Sequence, residues 1–224
     1  MTSQVRLISY TQSLDNQTHT ISDQICYVAR VSNPSKQSNT FTNDRLIRYL
    51  LKNKHFSPFE MVNVCLEINT TRDISRQILR HRSMSFQEFS QRYADPTDYL
   101  AFEVRETRIQ DTNNRQNSLV CVDIDLIDEF KSMQEELIEK SKELYKLAIS
   151  KGIAKEQARV LLPEGLTRTR MYINGTLRSW LHYIEVRTDP TTQKEHREIA
   201  LACANEIAKI FPDIMQFVHS EEKL

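Results

Sequence analysis

Arg72, Arg76, Arg80, Arg82 and Arg92 all fall within one stretch, TTRDISRQILRHRSMSFQEFSQRY, residues 70–93. Ile74, Ile78 and Leu79 have helical spacing, with Thr70 or Thr71 as N-cap and Asp73 in the first turn. On that helix Arg72, Arg76 and Arg80 are four apart, one above another on a single face. Like charges so placed repel by about 0.2–0.5 kcal/mol per pair. A solvated basic face is the ordinary outcome of such a run, but the residues that follow argue otherwise. His81, Ser83, Ser85, Gln87, Glu88, Ser90 and Gln91 are interleaved with Phe86, Phe89 and Tyr93. Guanidinium forks, hydroxyls and amides beside aromatic faces suit a ligand carrying both a phosphate and a ring. The stretch reads as a nucleotide-binding wall.

The elements that must position it are legible from periodicity. A strand fits 5–10, and apolar residues at helical spacing fit a helix over 21–31 before Asn33-Pro34. A second helix fits 43–52, buried through Leu46, Ile47, Leu50 and Leu51, and a turn follows at 55–60. Residues 61–69 alternate, with Val62, Val64, Leu66 and Ile68 on one face, and lead as a strand straight into the arginine helix. A polar loop at 110–118 precedes a short strand at 119–122. The longest helix, 125–150, carries Leu126, Phe130, Met133, Leu137, Leu144 and Leu147 as its core stripe and is closed by Gly152. After it come a helix at 154–162 stopped by Pro163, a strand at 168–173, and helices at 177–186 and 192–211. With no repeat and no low-complexity linker, 1–224 reads as one helix-rich α+β domain around a small, mainly antiparallel sheet.

Composition narrows the ligand. Thirty Lys and Arg balance thirty Asp and Glu, so the arginine cluster is local and suits a small anion better than a nucleic-acid polymer. Gly152, Gly165 and Gly175 are the only glycines, so neither a GxGxxG turn nor a P-loop can be built, and phosphate must be held by arginines and helix N-termini. Cys26, Cys65, Cys121 and Cys203 form no CxxC pair and read as reduced, mostly buried thiols. His81 lies between two arginines and no His/Cys spacing suits zinc, so no metal site is expected. The first ten residues lack the pattern of a signal peptide, and no run approaches the ~18 apolar residues of a membrane span. A cytoplasmic protein is the expectation.

The order Arg80-His81-Arg82, seven residues, Ser90, with Glu88 and the closing Arg92-Tyr93, resembles the signature of the flavin-dependent thymidylate synthases, the ThyX family. Further matches run along nearly the whole chain. They are Ala29-Arg30-Val31-Ser32, the His55 turn with Ser57-Pro58-Phe59-Glu60, Ala158-Arg159 before Leu162-Pro163, Asn174 with Arg178, and Arg187 before the last long helix. The resemblance implies methylation of dUMP to dTMP, with carbon from methylenetetrahydrofolate and hydride from NADPH through bound FAD. It implies FAD contacts for Ser57, Arg80, His81, Arg82, Glu88, Asn174, Arg178 and His182. For dUMP it implies Gln77, Arg80, Glu88, Phe89, Ser90, Gln91, Arg92, Arg159 and Arg187, with Arg187 promoting N3 ionisation. It also implies a homotetramer whose active sites are shared between subunits.

Uracil C5 becomes nucleophilic either by adding a thiolate to C6 or by stabilising negative charge on the N3/O4 side with a fixed cation. Cys65 falls in the strand before the arginine helix and Cys203 in the last long helix, so neither is expected near the arginine cluster, and the cationic route fits better. Ser90 has no acidic hydroxyl, and only His81 in this stretch could serve as its base, so Ser90 is expected to position dUMP by hydrogen bonding. Two alternatives remain open at this point. One is a single-stranded nucleic-acid module using Arg82, Phe86, Phe89 and Tyr93 as a stacking platform; the other is a flavoprotein of this fold without methyl transfer.

Overall fold

The computed structural model describes residues 4–14 and 19–219. It is an α+β fold with strands β1 (Gln4–Tyr10), β2 (Asn63–Thr71), β3 (Met84–Glu88), β4 (Arg108–Gln110), β5 (Ser118–Val120) and β6 (Arg168–Thr176). Its helices are α1 (Ile21–Ala29), α2 (Asn43–Lys52), α3 (Arg72–Ile78), α4 (Pro96–Tyr99), α5 (Ile124–Ser150), α6 (Lys155–Ala158), α7 (Leu177–Arg187) and α8 (Lys194–Ala208). The main sheet has the order β1-β2-β6-β3, and β4 and β5 form a separate antiparallel pair with Ile109 opposite Leu119. The chain divides into two compact units, whose boundaries fall inside β2, β3 and β6 and directly after α3. The first holds residues 69–80 and 87–171; the second holds 4–68, 81–86 and 172 onwards.

In the second unit the alternation of β2 is realised as expected: Val62, Val64, Leu66 and Ile68 are fully buried. The turn from β6 into α7 is set by Thr176, an extended residue whose Oγ1 accepts from the Ser179 amide at 3.2 Å. Trp180 of α7 is fully buried, and its indole N–H donates to the Val64 carbonyl at 3.0 Å. Gly175 lets these elements close up, because a Cβ there would lie 3.0 Å from Met84 Cγ and 3.5 Å from Trp180 Nε1. Helix α8 buries Ile199, Ala200, Cys203, Ala204 and Ile207, one face of a 3.6-residue period.

In the first unit α3 follows β2 without a break, and its first amide, Arg72, donates to the Thr167 carbonyl at 3.0 Å. The helix ends at Ile78, so Arg72 and Arg76 share a face while Arg80 lies beyond its end. Thr71 occupies the N-cap position but spends its hydroxyl on Asp73 Oδ1, 2.6 Å away, instead of on a backbone amide. In α5 the expected stripe is not the buried one. Gln134, Ile138, Ser141, Tyr145 and Ala148 face inward, whereas Leu126, Phe130, Met133, Leu137, Leu144 and Leu147 remain exposed. Gly152, at φ +80°, follows the end of α5 as expected. The helix foreseen at 154–162 is only α6 followed by a 3-10 turn at Arg159–Leu161. Strand β3 has no counterpart in the sequence reading. Its alternation covers five residues and is broken by neither an apolar run nor a turn signal.

Trp180→Phe should lower stability by roughly 2 kcal/mol, from a residual cavity and an orphaned Val64 carbonyl. A urea midpoint equal to that of the unaltered chain would contradict this packing.

Candidate active site

Glu88, the last residue of β3, is the polar hub of the first unit. Its Oε1 lies 2.9 Å from Ser75 Oγ, 2.9 Å from Thr169 Oγ1 and 3.6 Å from Arg72 Nη1. Burial pulls the Arg72 pKa below its ordinary value; Glu88 and Glu164 push it back, and Arg76 and Arg159 add repulsion. Other guanidinium groups are also tied down: Arg76 to Glu164 at 3.0 Å, Arg92 to Glu156 at 3.3 Å and Arg105 to Asp73 at 2.7 Å. Arg159 donates its Nε only to the Glu156 carbonyl, at 3.2 Å. Among the described residues, Arg80 and Arg159 are exposed and have no carboxylate partner.

The segment after β3 turns at Ser90, whose carbonyl accepts from Tyr93 N at 3.1 Å and whose Oγ accepts from Arg92 N at 3.4 Å. Phe89 N donates to the Arg170 carbonyl at 2.8 Å, which fixes where the turn begins. Next to it Gln91 is buried, and its Nε2 has no hydrogen-bond partner. A buried amide donor left unmade costs about 1–3 kcal/mol. Gln77 sits in the last turn of α3, its carbonyl accepting from Arg80 N at 3.3 Å.

In the second unit Arg187, the last residue of α7, donates its Nε–H to His81 Nε2 at 2.9 Å. The His81 ring stands edge-on to Tyr183, centroids 4.9 Å apart, and the Tyr183 hydroxyl lies 3.2 Å from Nε2 of the buried His196. Burial, then the charges of Arg187 and His182, push the His81 pKa down to about 4. Burial, then Arg187 and His81, push that of His196 down to about 3. Both imidazoles are therefore neutral at pH 7, and His81, accepting at Nε2, carries its proton on Nδ1. The result is a cation held in a fixed orientation by an uncharged acceptor.

The same unit contains a cavity of about 520 Å³ walled by Phe56, Ser83, Arg178, Ser179, His182 and Phe217, among others. Arg178 is ion-paired there with Glu60. Ser57 opens the 3-10 turn that carries Glu60, Asn174 is exposed on β6, and Arg82 is exposed after His81. None of these three belongs to the cavity wall. Burial pushes the Cys26 thiol up to about 11 and also raises those of Cys65 and Cys203. Among the described residues no helix is long and apolar enough to cross a membrane, and no three His, Cys, Asp or Glu cluster as metal ligands.

Residues 6–213 match the family described as thymidylate synthase complementing protein. The chain belongs to the flavin-dependent thymidylate synthase family. It is 47% identical over 213 residues, 94% of this chain and 96% of the relative, to the flavin-dependent thymidylate synthase of Synechocystis sp.. It is 46% identical over 209 residues, 93% of this chain and 95% of the relative, to a protein of Paramecium bursaria Chlorella virus 1 named "Probable flavin-dependent thymidylate synthase". A crystal structure of the UMP/dUMP methylase PolB from Streptomyces cacaoi, bound with 5-Br dUMP, has the same fold. Its TM-score is 0.79 at 24% identity, covering 96% of this chain and 93% of that one.

Within this family frame, the sequence singled out Glu88, Gln91, His81 and Arg187 but missed Ser75 and Thr169, which bond Glu88, and Tyr183 and His196, which stand behind His81. A serine or threonine gives no periodic signal, and Tyr183 and His196 read as core positions of α7 and α8. The two neutral histidines make a pH prediction. Between the ordinary 6.5 and folded values of about 4 and 3, the unfolded chain takes up protons that the folded chain refuses. Stability should fall as pH drops from 6.5 towards 4, and His196→Gln should flatten that descent of the urea midpoint. An unaltered slope in the variant would rule out a buried neutral ring at this position.

Proposed function

We propose that this chain methylates dUMP to dTMP, using methylenetetrahydrofolate as carbon donor and NADPH-reduced FAD as hydride source. On this reading it is a methyltransferase of nucleotide biosynthesis. The carrying observation is the fixed cation, Arg187 steered by neutral His81. A positive charge held beside the N3/O4 side of uracil favours ring ionisation and makes C5 electron-rich, with no need for a thiolate. The raised thiol pKa values agree with that route.

The dUMP site is assigned to Gln77, Arg80, Glu88, Phe89, Ser90, Gln91, Arg92, Arg159 and Arg187. Arg80 and Arg159 offer guanidinium forks uncommitted to carboxylates, suited to a phosphate. Gln91 Nε2 is an unmatched buried donor that a uracil carbonyl would satisfy. Ser90, at the head of its turn, positions the nucleotide by a hydrogen bond. FAD is assigned to Ser57, Arg80, His81, Arg82, Glu88, Asn174, Arg178 and His182. The cavity beside α7 fits part of such a cofactor, offering Phe56 and Phe217 to a ring and Arg178 and the Ser179 hydroxyl to polar groups. When bound, the flavin supplies the hydride that completes the methyl group.

Residues 1–224 act on this reading as a single catalytic domain, since the family match at 6–213 runs through segments of both units. The protein works in the cytoplasm as a homotetramer with active sites shared between subunits.

The direct test is spectroscopic: purified protein should show flavin absorbance that bleaches with NADPH, faster when dUMP is present. A colourless protein that binds no added FAD would remove the assignment. Arg187→Ala should keep its flavin while turnover falls ~10²–10³-fold, and near-normal turnover would take Arg187 out of the chemistry. Ser90→Ala should raise the KM for dUMP roughly 3–10-fold with a smaller change in kcat. Loss of turnover with dUMP still tightly bound would contradict a positioning role.

A further inference from the structure

Glu88 is gripped by one of its two oxygens. Ser75 lies on the inward face of α3 beside the buried Ile74 and Ile78 and is itself fully buried. Thr169 of β6 is 1% exposed, two places before the buried Met171. Each sends its hydroxyl to the same atom: Ser75 Oγ and Thr169 Oγ1 both lie 2.9 Å from Glu88 Oε1. The Ser75 proton has a second acceptor, the Arg72 carbonyl at 2.8 Å, whereas Thr169 Oγ1 donates to Glu88 alone. Arg72 Nη1 stands 3.6 Å from Oε1, near enough to balance its charge but too far for a hydrogen bond. The hydroxyls therefore set the direction of the carboxylate, and the guanidinium offsets its charge. Oε2 has no partner among the described residues, in a side chain that is 16% exposed.

We propose that Thr169, seconded by Ser75, is a positioning residue for nucleotide binding: it fixes Glu88 so that Oε2 stands ready to accept from a donor group of the nucleotide. The inference rests on the dUMP site proposed above and adds the residues that orient one of its members. Two simpler roles for these contacts fit the geometry less well. A carboxylate serving only as the counter-ion of Arg72 would make its short contact to the guanidinium, and here the short contacts go to the hydroxyls. A carboxylate serving only to satisfy two buried hydroxyls has no need to take both on one oxygen, and Ser75 already has the Arg72 carbonyl. A carboxylate accepts about four hydrogen bonds, and the two on Oε1 leave the capacity of Oε2 unspent. An acid in a site for an anionic nucleotide opposes binding by its charge unless it accepts from the ligand, so its orientation decides whether it helps or hinders. Glutamate also loses much rotamer freedom when it is fixed. Where the folded chain has fixed it beforehand, the ligand need not.

Calorimetric titration of dUMP into the FAD-loaded full chain tests this, with steady-state kinetics beside it and circular dichroism to check folding. Thr169→Val should weaken dUMP binding and raise its KM roughly fivefold. Its kcat should change little, because binding that is equal in the ground and transition states leaves kcat alone. Thr169→Ser, which restores the hydroxyl, should bind dUMP like the unaltered chain. The deciding comparison is the Glu88→Gln background. There Thr169→Val should add almost no further loss, since two residues that act through one contact are not additive. Should Thr169→Val misfold, Ser75→Ala carries the test by the same comparison, with a smaller loss expected. Losses that multiply in the Glu88→Gln background would overturn this inference alone and leave the proposed chemistry standing. So would a Thr169→Val chain that binds dUMP as tightly as the unaltered one while Glu88→Gln does not. A Glu88→Gln chain with unaltered dUMP affinity would strike Glu88 from the proposed site and this inference with it. An unaltered chain that binds flavin but no dUMP would overturn both readings.

Discussion

An imidazole can hold a guanidinium in place only while it is uncharged, and the second unit is arranged to keep it so. His81 accepts from Arg187 at 2.9 Å because burial and the neighbouring cation both oppose its protonation. Tyr183 closes one side of the ring, and His196, itself neutral, anchors the tyrosine hydroxyl from α8. The cation thus has no carboxylate partner among the described residues and sits at the C-terminal end of α7, where the helix dipole favours a positive group. The interaction is self-reinforcing: the charge that needs steering helps to suppress protonation of the group that steers it.

The first unit divides its arginines by duty. Arg72 and Arg105, paired with Glu88 and Asp73, brace the end of β3 and the start of α3, whereas Arg76 and Arg92 make exposed, exchangeable pairs with Glu164 and Glu156. Arg80 and Arg159 keep their charge for something else. Repulsion among Arg72, Arg76 and Arg159 is tolerated because Glu88 and Glu164 stand among them. Removing Glu88 would leave the half-buried Arg72 poorly matched, a more costly state than losing the exposed Arg76–Glu164 pair.

How far the sequence could be read depended on the range of the forces involved. The alternation of β2, the amphipathic run of α8 and the stop at Gly152 are set locally, and periodicity revealed them. The end of α3 at Ile78 was hidden, because Leu79, Arg80 and His81 are acceptable helix residues and the termination is imposed by the entry into β3. The α5 stripe was identified correctly as apolar and placed wrongly as core. Two adjacent stripes share that helix, and the buried one, built on Gln134, Ser141 and Tyr145, looks polar in one dimension. For the site, the motif residues were legible, whereas Ser75 and His196 acquire meaning only through partners 13 positions away and Thr169 through one 81 positions away.

In the cavity wall Arg178 is already ion-paired with Glu60, and Glu185 adds a second carboxylate beside them. Entry of an anion there is a displacement, in which the visitor must compete with a resident carboxylate for one guanidinium.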